Sequence, residues 1–196
     1  MDIITKTYEY LLPGGIVMIP IIFTSLWLWA LIIERLFYLR RMRKRDIDLK
    51  QAVKMVQGEH LPVSSDGLRA EIVIRFLKDR TGQCDLDRNI INQCVIEGRR
   101  PLTRNLSIIA ILAAVAPLLG LLGTVTGMIT TFNVISIFGT GNARAMAEGI
   151  SEALITTQSG LLVAIPGLFM SNYLARRIAW LENSLDELAT TLRRYV

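Results

Sequence analysis

The sequence predicts an all-α integral membrane protein: three transmembrane helices, a helical cytosolic domain, and helices that extend into the cytosol. Three observations carry this reading. Uncharged sequence runs from Asn105 to Ala143, well past the ~20 apolar residues that cross a bilayer. Two further apolar runs flank it: Ile16 to Ile33 has no charge, and 149–175 has only Glu152. The third observation is charge placement, because 16 of the 22 Lys and Arg residues lie between Arg35 and Arg104. Four more follow the last apolar run, at Arg176, Arg177, Arg193 and Arg194. Basic residues concentrate on the cytoplasmic side, so the N-terminus is expected outside and the C-terminus inside.

The elements follow in order. Residues 1–15 form a short external segment ending in the turn signal Pro13-Gly14-Gly15. The first span covers 16–35. Positive charge follows this run instead of preceding it, which argues for an uncleaved span over a signal peptide. Pro20 falls where a missing N–H does least harm. Trp27 and Trp29 suit interface anchoring, lipid contact or packing equally well.

Residues 36–104 are read as the cytosolic domain. Leu68, Ile72, Val73, Phe76 and Leu77 have helical spacing, and Gly82 signals a stop. A second helix is expected from about Asp87 into Arg100, with Pro62 and Ser64-Ser65-Asp66-Gly67 in a loop. Cys84, Cys94 and the lone His60 lack metal-site spacing. There is no phosphate loop, nucleophile elbow or paired-carboxylate floor, so no enzyme is predicted and no cofactor is expected. The net charge of +5 comes without nucleic-acid motifs or interleaved aromatics, so no nucleic-acid partner is expected.

The second span covers 105–136. Its Ala116, Gly120, Gly123 and Gly127 share one helix face, the device by which helices approach closely in lipid. Val115, Leu119, Leu122 and Thr126 share another, nearly apolar face, while Thr124 is expected to bond its own backbone. An external loop, 137–148, leads to the third span, 149–175. That span carries its own small-residue face of Gly160, Ala164, Gly167 and Ser171, and Pro166 is expected to kink it. Beyond it, 176–196 is a cytosolic extension of the same helix. Ile178, Leu181, Leu185, Leu188, Leu192 and Tyr195 alternate steps of three and four, the seam of helix packed lengthwise on helix. Glu182, Asp186 and Glu187 disfavour the alternative of a helix lying on anionic lipid.

Glu152 is the sharpest feature, because an acid in or near hydrocarbon is costly and tends to face a bundle interior or a water path. At 100° per residue Thr156, Ser159 and Val163 lie close to it on the helical wheel, giving a narrow polar strip. Counting outward from Arg176 at 1.5 Å per residue puts Glu152 about 36 Å away, near the outer boundary of the hydrocarbon. Pore lining and an interfacial carboxylate therefore both remain open.

APLLGLLGTVTGM (Ala116 to Met128) and GISEALITTQSGLLVAIPG (Gly149 to Gly167) resemble the MotA/TolQ/ExbB proton-channel family, and within it the ExbB members of the TonB system most. The order of the spans, the large inner loop and IIERLF (Ile32 to Phe37) agree. The resemblance implies a homopentamer in the bacterial inner membrane, its second and third spans lining a pore. It implies a dimer of an ExbD-like single-span partner inside, carrying a membrane aspartate, and a TonB-like energy transducer driven by proton entry. Glu152 matches the family's acidic third-span residue and Thr157 its pore threonine, whereas the wheel favours Thr156. Val115 stands where relatives often have threonine, so hydroxyls on both spans are not expected to relay the proton. A TolQ-like stator of the Tol-Pal envelope system is the near alternative, and a passive membrane scaffold the distant one.

Overall fold

The computed structural model describes residues 14–44, 46–58 and 67–195. His60, Pro62, Ser64 to Asp66 and most of the external N-terminal segment lie outside the described residues. All the regular structure described is helical: α1 Met18–Lys44, α2 Leu49–Val56, α3 Leu68–Asp79, α4 Cys84–Thr103, α5 Leu106–Phe138 and α6 Ala143–Leu192, with a 3-10 turn at Gly139–Gly141 between the last two. The chain divides into two compact units. One holds 14–32 with Ile108–Asn172, and the other Ile33–Ser107 with 173–195. Helices α1, α5 and α6 are long and apolar enough to cross a membrane.

The first unit packs through small residues. A Cβ built on Gly120 would lie 3.2 Å from the Cα of Thr157, and one on Gly127 2.7 Å from the carbonyl oxygen of Gly149. Gly123 meets Thr156, and Gly149 meets Thr131. As numbering rises along α5 it falls along α6, so the two helices run antiparallel with their backbones nearly touching. Ala116, Gly120, Gly123 and Gly127 are buried, as are Gly160, Ala164, Gly167 and Ser171. Helix α1 runs parallel to α6: Gly14 is near Ile155, Gly15 near Glu152, and Leu28 near Gly167. Outward-facing Phe23, Leu26, Leu118, Phe132, Leu162 and Phe169 remain exposed, an inside-out pattern for water but the ordinary one for lipid. Hydroxyls inside the helices close on carbonyls one turn back. Thr24 donates to Pro20 at 2.7 Å, Thr124 to Leu121 at 2.6 Å and Thr131 to Gly127 at 3.0 Å. With no water in hydrocarbon, that is how such groups are satisfied.

Two local boundaries differ from the sequence reading. Helix α6 begins at Ala143, so the loop expected over 137–148 narrows to a few residues around the 3-10 turn. The Asn142 carbonyl and side chain both accept from the first turn of α6, an N-cap that draws the start outward. The helix also continues through Pro166. Helix α4 starts at Cys84, three residues before Asp87. The Asp87 carboxylate folds back to accept from the Thr81 amide at 2.8 Å, the Thr81 hydroxyl at 2.9 Å and the Gly82 amide at 3.1 Å. It therefore orders the preceding turn from inside the helix.

The second unit is a small helical domain. Helix α2 opens with a capping box between Asp48 and Gln51. Leu68, Ile72, Val73 and Phe76 of α3 pack with Ile91, Cys94, Val95 and Leu102 of α4 in a core that is almost wholly buried. The end of α6 joins it through Ile178, Leu181, Leu185, Leu188 and Leu192, all at most 4% exposed. Tyr195, expected to continue this seam, is 50% exposed because the helix stops at Leu192. Arg69 of α3 donates to the Ser184 hydroxyl at 2.7 and 3.0 Å, and Arg99 pairs with Asp186. Arg35, just past the first apolar run, is 3% exposed and donates to the Pro101 carbonyl at 2.9 Å.

Candidate functional site

The site is built around Glu152, in the third turn of α6. The side chain is half-buried, and its carboxylate lies against the backbone of Gly15, where any Cβ would collide with Oε1. Gly15 has φ +64°, a left-handed conformation that only glycine adopts at little cost. The turn leading into α1 is thereby fitted to the acid. Among the described residues no cation pairs with Glu152. The nearest charged neighbours along the helix, Arg144 and Glu148, pair with each other at 3.8 Å on an exposed surface.

The threonines divide differently from the wheel's prediction. Thr156 is completely buried, donates to the Glu152 and Ala153 carbonyls at 3.0 Å each, and fills the hollow over Gly123. Within this chain Thr156 packs against α5 at Gly123. A wheel gives an angle but not the side on which the neighbouring helix lies. Val163, at 9% exposure, is likewise turned inward. Thr157, one position on, is half-buried and donates to the Gly120 carbonyl at 3.4 Å and the Ala153 carbonyl at 3.0 Å. Ser159 is half-buried.

On α5, Val115, Leu119 and Thr126 are half-buried and Leu122 is half-exposed. The Thr126 hydroxyl is committed to the Gly123 carbonyl at 3.0 Å, which leaves this face apolar in character. Glu152, Thr157 and Ser159 thus share α6, and Val115, Leu119, Leu122 and Thr126 share α5. Sequence reasoning missed Gly15 as a neighbour of the acid; its signal was the Pro13-Gly14-Gly15 turn, read only as a boundary. It also missed Arg35, whose burial no periodicity indicates. No group of three or more His, Cys, Asp or Glu suited to a metal occurs among the described residues.

Residues 62–187 match the model of the MotA/TolQ/ExbB proton channel family. The chain belongs to that family. Relatives agree over most of the molecule. The "Putative biopolymer transport protein ExbB-like 3" of Synechocystis is 29% identical, covering 94% of each chain. The biopolymer transport protein ExbB of Salmonella typhimurium is 29% identical over 88% of this chain and 77% of its own. The Tol-Pal system protein TolQ of Haemophilus influenzae is 39% identical, over 44% of this chain and 40% of its own. As a family member with three apolar helices, this MotA/TolQ/ExbB protein is a multi-pass inner-membrane protein. The half-buried acid of α6 lies within the matched segment, whereas Gly15, which it touches, lies outside it.

Proposed function

We propose that this protein is the proton-channel and stator subunit that couples the proton-motive force to TonB-dependent transport across the outer membrane. The observation that carries the reading is Glu152: a half-buried acid between apolar helices with no cation paired to it among the described residues. Acids in or beside hydrocarbon tend to face a bundle interior or a water-filled path instead of lipid. That is the placement a proton path needs. Full-length similarity to ExbB-named proteins supports the TonB assignment over the Tol-Pal one.

In this reading 16–35, 105–136 and 149–175 span the bilayer with the N-terminus periplasmic and the C-terminus cytoplasmic. Several copies, five by family resemblance, form a ring around an ExbD-like single-span partner. The apolar α5 face (Val115, Leu119, Leu122, Thr126) and the Glu152, Thr157 and Ser159 positions look inward. The membrane aspartate of that partner is the travelling acid. One proton falling through 100 mV releases about 2.3 kcal/mol, so weak, evenly spaced contacts suit the ring better than tight ones. The protein performs no enzymatic reaction in this scheme.

The TolQ-like reading rests on 39% identity to TolQ over 90 residues, a local level that an ExbB also reaches, at 43% over 79 residues. Copurification decides between them: a TonB-like protein supports the proposal, a Tol-Pal component replaces it. For the passive-scaffold reading, Glu152→Ala at normal expression is the discriminator. Wild-type growth under iron limitation would remove the case for proton coupling.

A further inference from the structure

The second unit contains a cavity of about 420 Å³ between the inner end of α1 and the stretch of α6 that follows its apolar run. Leu36, Leu39, Leu174 and Leu181 give it an apolar floor. Two guanidinium groups, Arg40 and Arg177, stand beside that floor, and among the described residues no acidic side chain lines the cavity. Arg177 is held in place by Tyr173: its Nε donates to the hydroxyl at 3.3 Å, and its guanidinium carbon lies 5.7 Å from the ring centroid. Trp180, 54% exposed, completes the rim.

The geometry points to a binding site for one anionic glycerophospholipid of the inner leaflet. Arg177 lies at the end of one apolar run and Arg40 seven residues past the end of the other, about 10 Å along a helix at 1.5 Å per residue, within the headgroup layer. A planar guanidinium engages a phosphodiester through two parallel N–H groups. The leucine floor receives the upper part of an acyl chain, and Tyr173 and Trp180 are the amphipathic aromatics that settle at the boundary of lipid and water. The volume is within the ordinary range of ligand sites, ~300–1,000 Å³. A second copy of the chain is the poorer occupant, because its equivalent ends also carry cations, from Arg40 to Arg45 and at Arg176 and Arg177. Like charges would then face each other across the groove.

The test uses the full-length protein, in complex with its membrane partner, in nanodiscs. Brominated phosphatidylglycerol or brominated phosphatidylcholine is added at equal mole fraction. Trp180 fluorescence is read as the difference between the wild type and Trp180→Phe. Stronger quenching by the anionic phosphatidylglycerol is expected, and equal quenching by both in the wild type overturns the proposal without any further variant. In Arg40→Gln/Arg177→Gln the preference falls by about fivefold per guanidinium removed, while Arg176→Gln, outside the lining, keeps it. Native mass spectrometry of the same samples should show phosphatidylglycerol retained by the wild type and lost from the double variant. Displacement of the lipid by millimolar inorganic phosphate would make a free anion the ligand and sink the lipid assignment. So would cross-linking of Trp180→Cys between copies without any lipid preference.

Discussion

The backbone of Gly160 lies against that of Gly120: a Cβ on Gly160 would come 3.1 Å from the Gly120 Cα and 2.7 Å from the Ala116 carbonyl oxygen. This contact sets the spacing of α5 and α6, and through it the position of Thr157, whose hydroxyl reaches the Gly120 carbonyl. In lipid, where apolar burial between helices contributes little, such van der Waals approach is the main source of helix association.

Gly123→Ala should therefore destabilise the protein by about 1–3 kcal/mol, the usual cost of overpacking, since the new methyl meets Thr156. Gly141→Ala, with nothing within 4 Å of its Cβ, should stay within about 0.5 kcal/mol of the wild type. Thermal unfolding in detergent measures both.

Gly15→Ala is expected to act on the acid as well as on stability. The positive φ alone costs about 1 kcal/mol in a residue with a Cβ, and the methyl displaces the Glu152 carboxylate. A double-mutant cycle with Glu152→Ala should give a coupling of about 0.5–3 kcal/mol. Strict additivity would mean that the two residues do not meet.

Arg35→Ala should cost about 1.5–3 kcal/mol, the range for a hydrogen bond from a charged group, because it strips the Pro101 carbonyl of its buried donor. Arg35→Lys keeps the charge but not the reach of Nη1 and should recover only part. Chemical denaturation monitored by circular dichroism separates the two variants.

Acid stability should follow Asp87. The Thr81 amide, assisted by the Thr81 hydroxyl, the Gly82 amide and Arg80, holds this carboxyl below the usual aspartate value. Its stabilisation is therefore complete above the unfolded value of 3.8 and lost as pH falls through the lower folded value. Asp46 works in the opposite sense: burial raises it, so its contribution is present below 3.8 and fades as pH rises through its folded value. A melting-temperature profile should lose its acid limb in Asp87→Asn and keep it in Asp46→Asn.

The parts of this architecture that depend on local periodicity were legible in the sequence. The glycines of α5 recur on one face because a face is a local property of a helix, and the same holds for the Ile178 to Leu192 seam. The uncharged stretch around Ala116 announced a span by length alone. Long-range placement was not legible. Thr156 and Thr157 differ by 100° on the wheel, and only the position of Gly123 decides that the first is enclosed. The Gly15–Glu152 contact joins residues far apart in the chain, and nothing local to either names the other. Arg35 looks like one more basic residue after an apolar run until Pro101 is placed beside it.

In the proposed scheme protons cross the assembly by way of Glu152 on α6 and the partner's membrane aspartate. The most direct measurement is proton uptake into proteoliposomes that contain the protein with its copurified single-span partner, under an imposed potential. Wild-type vesicles should acidify, and Glu152→Gln, which preserves shape but cannot ionise, should abolish the flux while the complex stays assembled. Undiminished uptake in Glu152→Gln would contradict the account.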